Sequence, residues 1–397
     1  MWSNVAELYK IPLDCVLYDT MNFFTLFEAT NESYLARTGH NKHGWYNLRR
    51  VGLALSVTKD VGLPLLHMLY HERQADAKLF PGSMTELVDR FLKLSRGSNR
   101  LTVVFDKGNN SKVNIQKAKE MNLRVVGSLV PSHYRDLTGV RLGLYDLEVN
   151  GKPVYHTVKE AYGLKLSVAV VYNASSYRRQ KRSLLDKVRQ FRDEVTACFE
   201  SHESKPIGEI EQRLQDILHG NEHARYLKVQ VTGRRYKTLS CSLDRKAYCD
   251  KLRTLGKTII FTNDLDMPVE EMVNLYMSKN LVEEQFKQLN NPAFIAFRPI
   301  YHWTDTKLKV YALICVLALL VQIMNLRARM NGIVMSNAVL RVELGDILEV
   351  ALIYSPSRVV KRITVLSNVQ KQLFDVFNLQ RYAPRKTELS LPLETMT

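Results

Sequence analysis

Two aspartates stand directly behind short apolar runs. Asp19 follows Cys15-Val-Leu-Tyr18, and Asp106 follows Leu101-Thr-Val-Val-Phe105. Both runs read as buried strands. Both acids are therefore expected at strand ends, where side chains of an α/β layer commonly line a crevice. One acid in such a place is unremarkable. Two of them, joined by a glutamate from a later helix, make a set suited to a pair of divalent cations. Shared carboxylates hold such ions roughly 3.5–4 Å apart, so that one activates a nucleophile and the other stabilises a leaving oxygen. Mg2+ prefers these hard oxygen ligands. Gly108 lets the backbone approach closely behind Asp106, and Asn109, Asn110 and Ser111 can cap the next helix.

The elements around these acids read as an α/β layer. Residues 51–58 alternate through Leu53, Leu55 and Val57, Lys59-Asp-Val-Gly62 is turn chemistry, and residues 63–70 return as a strand. This predicts an antiparallel hairpin. A helix comes next, capped by Ser83, with Leu87, Phe91 and Leu94 at helical spacing. After the strand ending at Asp106 come a helix over 111–121 and a strand over 123–130. The order β-β-β-α-β-α-β is that of a ribonuclease-H-like layer.

Between 140 and 256 the pattern changes to strands at 164–172 and 226–231 flanking two amphipathic helices. One carries Leu184, Val188, Phe191, Val195 and Phe199. The other carries Ile207, Ile210, Leu214 and Ile217. This predicts a helical hairpin inside a β module. From 257 the α/β pattern resumes. A strand covers 258–262, and one long helix runs over 267–289, capped by Asp266 with Pro268 in its first turn. A fully apolar helix is expected over 305–326. The last segment holds a mixed stretch, 342–354, a helix over 363–377 and a frayed tail from 381. The resulting division is 1–139 and 257–330 as two parts of one core, 140–256 as an insertion, and 331–397 as a helical C-terminal region.

Composition narrows the partners. The 397 residues are 46% hydrophobic and 24% charged, which excludes a disordered or collagenous chain. Lys and Arg number 56 against 40 Asp and Glu, leaving a formal charge of +16. A soluble protein this basic usually meets a polyanion, most often nucleic acid. The clusters Arg178-Arg179-Gln-Lys181-Arg182 and Arg234-Arg235-Tyr-Lys237 read either as a solvated helix end and hairpin tip or as a phosphate-tracking surface. The second reading accounts for much of the charge. Cys15, Cys198, Cys241, Cys249 and Cys315 are too scattered for a disulfide framework, and no CxxC pair suggests zinc. His67, His71 and Glu72 would not share a helical face. The apolar run 310–321 is shorter than the ~20 residues of a bilayer span, which predicts a buried helix and no membrane partner.

Three stretches together resemble the DDE transposases of prokaryotic insertion sequences, in particular the insertion-sequence-four superfamily. They are Tyr18-Asp19-Thr-Met-Asn-Phe-Phe24, Phe105-Asp106-Lys-Gly-Asn-Asn-Ser111 and Tyr276-x2-Lys279-x3-Glu283. Gly39-His-Asn-Lys-His-Gly44, Gly62-Leu-Pro-Leu65, Phe261-Thr-Asn-Asp264 and Arg298-Pro-Ile-Tyr-His-Trp303 are similar too, in order, over about residues 14 to 380. The resemblance implies a ribonuclease-H-like core interrupted by a mixed β and helical-hairpin insertion. Asp19, Asp106 and Glu283 would be the catalytic metal ligands for two Mg2+ ions, with Mn2+ able to substitute. The implied reaction is nicking of double-stranded DNA at element ends, then attack of the 3′-OH on target DNA, in the cytoplasm on the nucleoid and with a homodimer in the DNA complex. Tyr276, Lys279 and Lys287 would contact DNA. The superfamily has Arg where Lys279 stands, and Lys279 keeps the charge without the bidentate grip on phosphate. Few residues precede Asp19, so most of an N-terminal end-binding region is expected to be missing. Two other functions stay open: a catalytically idle DNA-binding relic, and a nuclease without strand transfer.

Helix periodicity chooses between Glu283 and Glu284. With an advance of about 100° per residue, Glu283 lies on the flank of the apolar stripe Val282, Phe286 and Leu289, and Glu284 points to solvent. Trp303 reads either as core closure or as a stacking surface for a base of DNA. His219 and His223 fall in a polar, solvated loop.

Overall fold

The computed structural model describes residues 7–26, 33–38, 49–71, 76–95, 100–106, 108, 110–233, 237–292, 294–355 and 358–383. The fold is mixed α/β, and the chain divides into two compact units, one of Met1–Val103 with Ser278–Thr397, the other of Val104–Met277.

The first unit starts from β1 (Cys15–Thr25), β2 (Arg37–Thr38), β3 (Arg49–Thr58) and β4 (Pro64–His71), in which β3 pairs antiparallel with the other three. The expected hairpin is β3–β4. Its turn closes through the Gly62 amide on the Thr58 carbonyl, with Gly62 at φ +69, and a Cβ there would lie 2.7 Å from Gln285 Nε2. β1 does not end at Asp19. It continues to Thr25 because the ladder with β3 continues, with Asp19 opposite Leu55 and Phe23 opposite Val51, and Phe23 and Thr25 remain buried. Helix α1 (Asp76–Ser95) likewise begins before its expected cap. Ser83 lies inside it, fully buried, and its hydroxyl donates to the Leu79 carbonyl one turn back at 3.2 Å.

The second unit is built on the end of β5 (Thr102–Phe105), β6 (Arg124–Leu129), β7 (Leu147–Val149), β8 (Lys152–Ala161), β9 (Leu164–Tyr172) and β12 (Lys257–Thr262). Their order is β5-β6-β12-β9-β8-β7. Helix α2 (Lys112–Glu120), capped by Ser111, joins β5 to its neighbour β6. The β6–β12, β12–β9, β9–β8 and β8–β7 pairs are antiparallel. Ile260 stands opposite Ser128, and Phe261 opposite Gly127. A single-turn helix, α3 (Arg135–Thr138), lies between β6 and β7.

The stretch 140–256 is not one separate piece. β9 is an interior strand of this sheet, and Leu166, Val168, Ala169 and Val170 are all fully buried, as a strand covered on both faces demands. Only the part between β9 and β12 stands as its own module: α4 (Ala174–His202), α5 (Ile207–Gly220), β10 (Leu227–Thr232), β11 (Thr238–Leu243) and α6 (Arg245–Leu252). The expected α4 stripe is the buried one. Phe191, Val195 and Phe199 pack with Ile210 and Leu214 of α5, and Leu184 and Val188 pack with Tyr226, Tyr248 and Leu255.

The expected long helix over 267–289 is two helices, α7 (Val269–Met277) in the second unit and α8 (Asn280–Asn290) in the first. Between them the bonds tighten to i→i−3, Leu281 to the Ser278 carbonyl and Val282 to that of Lys279. The apolar run is also divided, into α9 (Asp305–Ala318) and α10 (Val321–Met330). It is not the buried helix expected. Leu308, Ala312, Cys315 and Val316 are inside, while Val310, Leu313, Ile314 and Leu317 are exposed. By length and composition alone, Asp305–Met330 is long and apolar enough to cross a membrane. The C-terminal region is not purely helical. Between α11 (Asn337–Gly345) and α12 (Asn368–Val376) lies an antiparallel hairpin, β13 (Glu349–Ser355) with β14 (Arg358–Ile363). A capping box of Ser367 and Gln370 delays α12 beyond Ile363. Ala328, Leu340 and Leu373 form the small core there.

Candidate active site

The acids singled out by sequence lie in two constellations, one in each unit. In the first unit, α8 packs on β1. Phe286 lies 6.3 Å from the Phe23 ring, and Asn290 Nδ2 is 3.3 Å from Met21 Sδ. Side chains alternate along a strand, so Asp19 shares the face of Met21 and Phe23. Asp19 is half-buried, and its Oδ1 accepts the Thr20 amide at 2.8 Å. On α8, Glu283 is half-buried and pairs through Oε1 with Lys279 Nζ at 3.4 Å, one turn earlier. Glu284 is exposed and pairs with Lys287 at 3.3 Å, as the register required. Lys287 is thus on the solvent side with Glu284. The segment behind α8 returns to β1, where Ile300 exchanges backbone hydrogen bonds with Phe24 and Leu26.

In the second unit, Asp106 follows β5 directly, as expected. Two hydroxyls donate to its Oδ1, Tyr276 at 3.2 Å and Ser128 at 3.5 Å. Tyr276 is buried on α7, so its ring is enclosed and only its hydroxyl meets the carboxylate. Ser128 is a buried residue of β6, and its carbonyl accepts Asn110 Nδ2 at 2.5 Å, tying the turn behind Asp106 to the sheet. Ser128 was missed by sequence reasoning. The signal available was a lone hydroxyl in the apolar strand Val125-Val-Gly-Ser-Leu129. Gly127 is required beside it, since a Cβ would stand 2.9 Å from the Phe261 ring and 3.1 Å from that of Phe105. Asn263, from the Phe261-Thr-Asn-Asp264 stretch, holds the start of β6, accepting the Val125 amide at 2.8 Å and donating to the Leu123 carbonyl at 3.0 Å. Among the described residues, no three His, Cys, Asp or Glu side chains stand grouped as a metal site.

The other sequence-derived positions scatter. Arg178, Arg179, Lys181 and Arg182 are on the first turns of α4, and all four are exposed. Lys237 has a local role instead: its ammonium donates to the carbonyls of Glu203 and Lys205, fastening the β10–β11 hairpin to the loop between α4 and α5. Arg234, Arg235, Lys107, Asn109 and the stretch 39–44 lie outside the described residues. Trp303 does not close the core. It is 47% exposed, with Lys307 Nζ over its ring at 4.5 Å.

No family model matches the chain, and neither does any curated protein. Among solved structures, it is similar to the piggyBac transposase in a synaptic complex with hairpin DNA, seen by cryo-electron microscopy. The identity is 10% and the TM-score 0.41, over 83% of this chain and 50% of that one. The chain therefore spans about half the length of the protein it matches.

Proposed function

We propose that this protein is a DDE-type DNA transposase with a ribonuclease-H-like core, cleaving DNA strands and transferring a 3′-OH. Asp19, Asp106 and Glu283 are its acids. The observation that carries the reading is the pair of hydroxyls on Asp106. Tyr276 belongs to the same short motif as Glu283, and its hydroxyl donates to the aspartate that the sequence singled out independently. A carboxylate held in this way keeps one orientation, as a ligand must.

The donor set fits divalent cations, since all three residues offer hard carboxylate oxygens. Two Mg2+ ions, or Mn2+ in their place, would be held by Asp19, Asp106 and Glu283 and would supply Lewis-acid activation of water and of the leaving oxygen. In this scheme Tyr276 and Ser128 orient Asp106. Lys279 balances the charge of Glu283 and presents a cation toward phosphate. The arginines of α4 hold the DNA backbone.

The test is nicking of supercoiled plasmid in Mg2+, with Asp19→Asn, Asp106→Asn and Glu283→Gln each abolishing it while DNA binding persists. A pre-cleaved end carried into target DNA then separates a transposase from a nuclease. A second reading, the idle DNA-binding relic, is favoured by the Lys279–Glu283 ion pair, which engages a carboxylate oxygen of a proposed metal ligand. It expects binding with no nicking in either metal.

A further inference from the structure

Three surface depressions in the second unit adjoin one another. The largest, about 800 Å3, is lined by Arg135, Arg225, Lys251 and Arg253, with Asp250 as its acid. It shares Gln180, Lys251 and Leu255 with a hollow of about 350 Å3 that adds Arg179 and Lys187. That hollow shares Arg179, Ser183 and Lys187 with a third, about 570 Å3, which reaches Arg178 and Arg182. The shared walls make one continuous track, from the α3 region across α6 and along the N-terminal half of α4.

Its charge is unbalanced. Among the described residues, Arg135, Arg179, Arg182, Lys187, Arg225 and Lys251 form no ion pair with a carboxylate. Asp250 is engaged by Arg253 at 3.4 Å, which leaves Asp186 as the other acid on the track. Beyond Gln190 the neighbouring surface turns acidic with Asp193 and Glu194, and the track stops. Some cations are pre-set: the Arg225 guanidinium sits 5.1 Å over the Tyr226 ring. Lys257, on the floor, is not available to a ligand, because its ammonium donates to the carbonyls of Thr138 and Val140.

We infer that this track binds the phosphodiester backbone of DNA, without regard to sequence, at a site built from Arg135, Arg225, Lys251 and the outer face of α4. A single phosphate needs one or two cations. Here the helical part alone, from Arg178 to Lys187, extends about 14 Å at 1.5 Å per residue, and the cleft lengthens it further. Repeated unpaired cations on an extended path match a polymer of repeated charges. The inference takes from the proposed function its partner, DNA, and the arginines of α4, adds Arg135, Arg225 and Lys251, and holds whether or not the acids cut.

Binding of a short labelled duplex of arbitrary sequence, followed by anisotropy in EDTA over a range of salt, tests it apart from cleavage. Each phosphate contact contributes about 0.9 to the slope of log K against log salt. Arg225→Gln with Lys251→Gln should flatten the slope by about 1.8 and weaken binding about 60-fold near 0.1 M salt. Lys119→Gln with Lys165→Gln, exposed but off the track, should leave both unchanged. On the wild-type protein, duplex should protect Lys187 and Lys251 from acetylation, which needs no variant to fold. An unchanged slope, an equal loss in the control pair, or no protection overturns the inference. Equal protection by inorganic phosphate overturns it as well, in favour of a single-anion pocket.

Discussion

Replacing Tyr276 with Phe removes one oxygen and leaves the packing of the ring intact. The hydroxyl it removes donates to Asp106 Oδ1 at 3.2 Å, and the Ser128 hydroxyl on the same oxygen stands farther off at 3.5 Å. A hydrogen bond to a charged group contributes about 1.5–3 kcal/mol. If that energy orients Asp106 for reaction, its loss slows nicking by a factor of roughly 10 to 160, at 1.36 kcal/mol per tenfold. The Mg2+ concentration giving half-maximal rate should rise as well, because a carboxylate with freer rotation loses more entropy on binding a cation. Both quantities come from initial rates of plasmid nicking across a Mg2+ titration, with thermal melting as the check on folding. DNA affinity in EDTA should stay within about twofold, since the Tyr276 ring is buried. Tyr248→Phe, in the α4 module, is the control and should leave the Mg2+ midpoint in place. A folded Tyr276→Phe variant with unaltered rate and midpoint would refute the positioning role.

Glu283→Gln should abolish nicking and Glu284→Gln should leave it near the wild-type rate, since Glu283 is half-buried on the flank of the apolar stripe of α8 and Glu284 is exposed; the reverse pattern in the same plasmid assay would mean that the helix register or the family resemblance is wrong. Gly127→Ala should cost about 1–3 kcal/mol, read from urea melts, because the added methyl meets two fully buried rings that have nowhere to move. The hydrogen bond from Lys159 holds the Asp136 carboxyl below its ordinary value of 3.8, despite an opposing desolvation contribution. A depressed pKa stabilises the fold above the ordinary value, and the stabilisation is lost as pH falls through the lowered one. Lys159→Met should therefore melt slightly below wild type at neutral pH, and the gap should close in acid; a gap that persists in acid would assign the effect to packing.

The sequence by itself determined the elements whose burial is local. The strands at 15–18, 51–58, 123–130, 164–172 and 258–262, and the stripe Leu184, Val188, Phe191, Val195 and Phe199, were legible because an apolar pattern reports directly which face leaves water. The flank position of Glu283 and the strand-end position of Asp106 were legible for the same reason. The tertiary structure decided whatever depends on a partner distant in the chain. β8 carries charged residues such as Lys159 and Glu160, and pairing with β9 makes it a strand nonetheless. β1 runs past Asp19 because β3 continues to offer it hydrogen bonds. Helix periodicity is nearly blind to one tightened turn, so the interruption at Ser278 and Lys279 left no mark in the pattern. Tyr276 reads from sequence as a DNA-contacting residue beside Glu283, and its hydrogen bond to Asp106, 170 residues away in the chain, appears only on folding. Lys237 reads as one more exposed cation, whereas two carbonyls of a different loop hold it. Hydrophobic burial is additive along the chain and can be read residue by residue. A hydrogen bond has a direction and a second participant, and only the folded chain brings the two together.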